Sequence, residues 1–186
     1  MRLKRSFYLR PPEIVAKDLL GKSLYYRGTE VIIVEVESYG ANDPVCHAFR
    51  GKTPRTEPMF KEGGRSYVYF VYGMHFCFNV VTEKSGSPSA VLIRGGVPVN
   101  DYQQIKDRRG REIHPEKILI GPGNFCKGLG IGKDQNDIDL CESPDLFIGS
   151  GSFAKKKLEI GISPRIGISS GQDRLWRFYL KTPIQL

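Results

Sequence analysis

The segment from Tyr67 to Asn79, YVYFVYGMHFCFN, constrains the fold more than any other part of this chain. Tyr67–Val71 and Phe76–Thr82 are dense in aromatic and β-branched residues, and they flank Tyr72-Gly73-Met74. Such runs favour a pleated, half-buried surface, so the segment predicts an antiparallel hairpin with that trio at its tip. Tyr67 and Tyr69 then share one face, while the Tyr72 ring stands at a tip where there is little core to enter. Asn79 lies within an otherwise apolar strand. A carboxamide there is costly to bury, so it either closes a hydrogen-bond network or reads the polar edge of a ligand.

The remaining punctuation fits a strand-rich domain around that hairpin. Pro11-Pro12-Glu13 followed by Ile14, Val15, Ala16, Leu19, Leu20 and Gly21 reads as a short amphipathic helix. Ser23–Tyr26 and Glu30–Val36 form a second hairpin across Arg27-Gly28-Thr29. The stretch from Gly40 to Arg55 has turn residues and no period, which predicts a long ordered loop of the kind often found at functional sites. Ala90–Arg94 is a further strand, and Asn100 is placed to cap a polar helix through Gln103–Arg108. Gly121-Pro122-Gly123-Asn124 predicts a turn opening onto a short helix with Lys127. Leu146–Ile148, Lys156–Ile160 and Arg177–Leu180 complete the strands. The expected fold class is α+β: one mixed domain with a curved antiparallel sheet, flanking short helices and a protruding β-hairpin.

With 186 residues, 40% of them hydrophobic, the chain has material for one sizeable core. Lys and Arg number 28 against 20 Asp and Glu, a formal charge of +8 and a sequence pI near 9.4. The basic residues are scattered among aromatic and glycine-rich segments, so they predict a basic face on a folded domain and a polyanionic partner. Cys46, Cys77, Cys126 and Cys141 are widely spaced, without a Cys-x-x-Cys pair, which argues against a zinc site. No apolar run reaches membrane-spanning length, and Met1–Arg10 lacks a signal core. The expectation is an intracellular protein with reduced thiols and no membrane partner.

Val34-Glu35-Val36-Glu37-Ser38-Tyr39 alternates, so in an extended chain Glu35, Glu37 and Tyr39 share a face. This is either an ordinary solvent face or a carboxylate presented beside an aromatic ring and the loop that carries His47. Two such glutamates lie about 6.5 Å apart at Cα, a spacing compatible with the carboxylate pair of an inverting glycoside hydrolase. The basic composition offers that rival few further acidic platforms.

Taken in order, these segments resemble the alkyladenine (3-methyladenine) DNA glycosylase family. The matching pieces are Val34–Tyr39 with His47 downstream, Thr53-Pro54-Arg55 with Met59-Phe60, Tyr67–Asn79, Ala90–Arg94, Gly121-Pro122-Gly123 leading to Lys127-Gly128-Leu129, and Arg177–Leu180. The resemblance implies a monomeric, cofactor-free base-excision-repair enzyme that flips alkylated or deaminated purines out of double-stranded DNA and hydrolyses the N-glycosidic bond. It implies Glu37 as the general base for the attacking water and Arg94 as an arginine beside it. It implies Tyr39, His47, Tyr69, Asn79 and Leu92 as residues around the flipped base. Tyr72 is implied as the ring that wedges into the duplex, and Met74, His75, Thr53, Arg55 and Lys127 as further DNA contacts. The localisation implied is cytoplasmic and nucleoid-associated in a bacterium, or nuclear in a eukaryote.

An alkylated purine is cationic, so a tyrosine-rich box favours it by stacking and cation–π attraction, and the charge makes the base a good leaving group. The chain departs from the pattern at His75, where another tyrosine is usual, and at Val45-Cys46, which replaces small residues before His47. No lysine lies in the matched pocket motifs, so no Schiff-base lyase step is expected, with Lys52 the nearest in sequence. The alternative from another class is a non-catalytic nucleic-acid-binding module with a base-stacking pocket. The presence of Glu37, Arg94 and His47 together argues against it, because a mere binder has no need of a carboxylate facing a polyanionic substrate.

Overall fold

The protein is described by a computed structural model, which covers residues 1–110, 113–151, 158–182 and 184. Two short helices, α1 (Arg5–Tyr8) and α2 (Pro12–Leu19), precede the hairpin β1 (Ser23–Tyr26) and β2 (Thr29–Tyr39). A 3₁₀ turn (Glu57–Phe60) leads to the aromatic hairpin β3 (Ser66–Val71) and β4 (His75–Val81), then to β5 (Ala90–Pro98). Helices α3 (Tyr102–Arg109), α4 (Pro115–Ile118) and α5 (Pro122–Leu129) follow, then β6 (Leu146–Gly149), β7 (Ile160–Ser163) and β8 (Arg177–Leu180). Every described strand pairing is antiparallel, in the order β3-β4-β5-β2-β1-β6, with β8 joined to β2 and β7 to β8. The architecture is the expected mixed α+β domain around a curled antiparallel sheet.

The spine of the sheet is β2, whose eleven residues outlast its hairpin partner. Its first residues pair with the four of β1, and the vacated edge at Glu35–Glu37 is taken by β8. Its other edge runs along β5, where the register slips on both sides of Glu35 and leaves Val34 and Arg94 without a partner. Such bulges bend a sheet and re-aim a side chain, and this one gives the sheet its curl beside the two glutamates.

Alternation assigns the two faces different duties. Val36, Val68, Phe78, Val80, Val91 and Ile93 point into the main core against Val15 and Leu19 of α2 and Phe125 and Leu129 of α5. Full burial of an aliphatic or aromatic side chain of this size contributes about 1.5–3 kcal/mol, so this face holds the fold together. The opposite face carries Glu35, Glu37 and Asn79, and a smaller cluster of Cys46, Ala48, Met59, Tyr67, Val81 and Ala90.

Two expectations are corrected, the role of Asn100 and the start of one strand. Asn100 does not cap α3: Asp101, at φ 55°, occupies that position. The Asn100 amide instead ties the β1–β2 turn, accepting from Glu30 N at 2.7 Å and donating to Gly28 O at 3.0 Å. Ile14 is exposed on α2, because the helix is only eight residues long and turns Val15, Ala16 and Leu19 inward. The strand expected at Lys156–Ile160 starts only at Ile160; Lys156 and Lys157 lie outside the described residues. The Gly40–Arg55 loop is ordered by successive tight turns, with Asp43 N to Gly40 O at 3.1 Å, Cys46 N to Asp43 O at 2.8 Å and Phe49 N to Cys46 O at 3.0 Å.

Candidate active site

Register alone assembles the core of the site. Glu37 pairs with Leu92, Leu92 with Asn79 and Asn79 with Tyr67, while Arg177 of β8 flanks Glu37 on the other side. Directly opposed antiparallel residues share a face, so one row across five strands carries an arginine, a carboxylate, a leucine, a carboxamide and a phenol. Leu92 is almost fully buried within this row.

The two glutamates do different work. Glu35 Oε1 accepts from Arg94 Nε at 2.9 Å and from Arg177 Nε at 2.7 Å, so it is a clamp between two guanidinium groups. Glu37 is wholly buried, yet its oxygens have distinct partners. Oε1 accepts from the Ile166 backbone N–H at 2.7 Å and lies 3.4 Å from Arg94 Nη1; Oε2 accepts from the Tyr39 hydroxyl at 2.8 Å. Burial works against charge on Arg94, but Glu37 and Glu35 more than offset it and raise its pKa. Burial, with the neighbouring Glu37 carboxylate, pushes the Tyr39 phenol well above its ordinary value, so Tyr39 remains a donor.

Beside this cluster opens a cavity of about 590 Å³, lined by Tyr39, His47, Tyr67, Tyr69, Tyr72 and Asn79 among others. Its size is within the range of roughly 300–1,000 Å³ usual for small-molecule sites. His47 Nδ1 is 3.0 Å from the Tyr67 hydroxyl, and the His47 ring meets Tyr69 edge-on at 4.5 Å between centroids. Tyr67 and Tyr69 are tilted at 35° with centroids 5.4 Å apart. Asn79 Nδ2 donates to Tyr67 O at 3.0 Å, so the carboxamide closes a structural bond and lines the cavity as well. Val45 and Cys46 are also part of the wall, and burial raises the Cys46 thiol pKa.

Although His47 as a residue is exposed at the mouth, its imidazole is packed against Tyr67 and Tyr69. Burial, followed by the charge of Arg55, lowers its pKa from 6.5 to about 4. His47 therefore faces the cavity uncharged at neutral pH. In an NMR titration its ring should stay neutral until pH approaches 4; a midpoint near 6.5 would show that the ring is solvated. Because the folded value is the depressed one, this residue favours the folded state above pH 6.5, and that contribution is lost as pH falls from 6.5 through about 4.

Tyr72 and Met74 are 80% and 68% exposed at the hairpin tip, and Phe70 beside them is also exposed. Tyr72 has φ 54°, a left-handed backbone that costs an L-residue about 1–2 kcal/mol. Tyr72 and Gly73, both at positive φ, are the central residues of the tight turn that Met74 N–H closes on Val71 O at 3.2 Å, and this turn holds the ring in solvent. Replacing Tyr72 by Gly should relieve that strain while adding a similar entropic cost in the unfolded chain, leaving the unfolding midpoint nearly unchanged. Binding to a duplex with a displaced base should meanwhile weaken about tenfold, as a stacking contact of about 1–3 kcal/mol is lost. A variant that binds as tightly as the wild type would remove Tyr72 from the interface.

The other expected contacts lie around this centre, off the cavity wall. Arg55 is exposed with its guanidinium 5.0 Å from the Tyr69 ring centroid. Thr53 caps the turn below it, its hydroxyl 3.0 Å from that of Thr56. Lys127 is exposed on α5. His75 packs over the first turn of that helix, so closely that a Cβ on Gly123 would fall 2.8 Å from its ring. Lys52 is paired with Glu57 at 3.2 Å and is not part of the wall. Among the described residues, no group of three His, Cys, Asp or Glu side chains could hold a metal.

Several participants escaped the sequence reading. Asp43, Arg165, Ile166, the wall segment Gly167–Ser170 and the role of Arg177 have no local pattern that marks them; only the Ser163-Pro164-Arg165 turn signal lay there unread. Arg165 is paired with Asp43 across 122 residues of chain, and no helix extends far enough in apolar sequence to cross a membrane among the described residues.

Comparison with known proteins bears on this geometry. The sequence model of the family described as methylpurine-DNA glycosylase matches residues 6–183. A protein of Carboxydothermus hydrogenoformans named "Putative 3-methyladenine DNA glycosylase" is 48% identical over 185 residues, spanning 97% of this chain and 96% of its own. Proteins of the same name from Rickettsia rickettsii (strain Sheila Smith) and Rickettsia bellii are 45% identical over 178 residues and 41% over 211, spanning 95% and 99% of this chain and 88% and 94% of their own. With its matched length and its cavity of tyrosines beside a buried carboxylate, the chain belongs to the methylpurine-DNA glycosylase family.

Proposed function

We propose that this protein removes alkylated purines, and deaminated or etheno-bridged ones, from double-stranded DNA, with Glu37 activating the water that attacks the sugar C1′. The observation that carries the reading is the buried Glu37, held by Ile166 N–H and by the hydroxyl of Tyr39, which is itself part of the wall of a cavity that His47 and Tyr69 also line. Extruding a base costs a few kcal/mol, and the Tyr72 ring at the exposed tip recovers part of that loss by entering the vacated stack. The flipped purine enters the cavity, where tyrosine faces attract its charge and the neutral His47 does not repel it.

In this reading Asn79, on the cavity wall, excludes the exocyclic amine of an undamaged guanine, and its register partner Leu92 backs it from behind the wall. As the glycosidic bond breaks, positive charge grows on the sugar, and the Glu37 carboxylate stabilises it while accepting a proton from water. Arg94 sits 3.4 Å from that carboxylate and helps to orient it. Arg55, Thr53, Met74, His75 and Lys127 serve the phosphate backbone and the distorted duplex, and one copy of the chain suffices. The name carried by the relatives agrees with 3-methyladenine as one substrate.

The test is single-turnover base release from methylated DNA and from duplexes with one hypoxanthine or one ethenoadenine. Release of a purine with an intact abasic strand supports the reading. Folded protein that binds these duplexes and releases nothing would leave the non-catalytic binding module in its place.

A further inference from the structure

We propose that Arg165 is a positioning residue for the glycosylase reaction, a strut that fixes the Tyr39 wall and, through its neighbour Ile166, the Glu37 carboxylate; the inference rests on the function proposed above. Arg165 has a side chain with no exposed surface, and so does Asp43. One guanidinium nitrogen, Nη1, donates both to Asp43 Oδ2 and to Ser38 O, the latter at 3.0 Å; Nη2 donates to Asp43 Oδ1 at 3.1 Å. The same guanidinium lies 4.7 Å from the Tyr39 ring centroid and 5.2 Å from that of Trp176.

Three elements therefore meet on one side chain: the end of β2, the loop that leads to Cys46 and His47, and the segment after β7. The next residue, Ile166, donates its backbone N–H to Glu37 Oε1, so the chain direction fixed by Arg165 also fixes that hydrogen bond. Gly171 leaves room for the pair, since at φ +69° a Cβ there would fall 3.1 Å from Arg165 Nη2.

Stability alone does not explain this arrangement. A buried ion pair is commonly no better for folding than well-packed apolar side chains of the same volume. Here the pairing is also incomplete, because among the described residues Arg165 Nε has no acceptor. What a forked guanidinium supplies that an apolar side chain cannot is direction, with two prongs on Asp43 and a flat face on Tyr39.

The experiment compares the wild type with Arg165→Lys, which keeps a cation for Asp43, and with the double variant Arg165→Gln/Asp43→Asn, which removes both buried charges together. Four quantities are read: the single-turnover release rate, affinity for undamaged duplex, the unfolding midpoint and the emission of Trp176, the sole tryptophan. The expected result is at least a tenfold fall in release for both variants, with affinity for undamaged duplex within twofold of wild type and Trp176 emission shifted. Release within twofold of wild type, or a fall matched by equal losses of undamaged-duplex affinity and thermal stability, would overturn the proposal. If the wild type itself releases no base, the glycosylase reading fails, and the strut is judged on ethenoadenine fluorescence as the base is captured. Weaker capture by the variants then upholds it, and unchanged capture overturns it.

Discussion

Glu37→Gln should release base about 10²- to 10⁴-fold more slowly than wild type in single turnover, the range expected when a positioned general base is removed. The substitution keeps the shape of the side chain. A glutamine oxygen can still accept from Ile166 N–H or from the Tyr39 hydroxyl, so the buried position keeps partners and the fold should persist. Affinity for a lesion-bearing duplex should be unchanged or slightly tighter, since a negative charge near a polyanion has been removed. Loss of release with binding retained would place the chemistry on Glu37. A rate within tenfold of wild type would mean that another group activates the water.

Glu35→Gln is expected to behave in the opposite manner. Glu35 Oε1 holds Arg94 and Arg177 together, and its side chain is only 9% exposed. Removing the anion from between two largely enclosed cations should cost about 3 kcal/mol. For a chain of this size that corresponds to a fall in melting temperature of roughly 6–12 °C. Base release should survive at temperatures where the variant is folded, because Glu37 keeps Ile166 and Tyr39 as partners. The pair of substitutions also separates the two carboxylate readings, since a glycoside hydrolase built on both glutamates would lose its chemistry with either one.

The sequence pattern carried the architecture where local chemistry decides it. Period-two alternation placed Glu35, Glu37 and Tyr39 on one face and predicted the Tyr67–Asn79 hairpin, and both hold. It could not say that Glu35 is a clamp and Glu37 a site carboxylate. That difference depends on Arg177 and Ile166, which lie 142 and 129 residues further on and meet the glutamates only when β8 and the segment after β7 close on the edge of β2. Asn100 shows the reverse limit: its residue type suits a helix cap, but the nearby β1–β2 turn offered two backbone groups and took it. The wall segment Gly167–Ser170 was illegible for the same reason as Arg165, because a loop that borrows its shape from a distant ion pair has no periodicity of its own.

The long middle strand has one further consequence, for the order in which the protein acquires competence. The half of β2 that carries Glu37 is bordered on one side by β5 and on the other by β8. While the ribosome has delivered only the first 150 residues, the tyrosine-rich hairpin and β5 can already assemble beside β2, yet Ile166, Arg165 and Arg177 do not exist to fix the carboxylate and the loop above it. A nascent chain can thus display a base-stacking surface well before it can cleave anything. On the proposed function, competence to release a base arrives last, with the segments that stitch the far edge of the sheet.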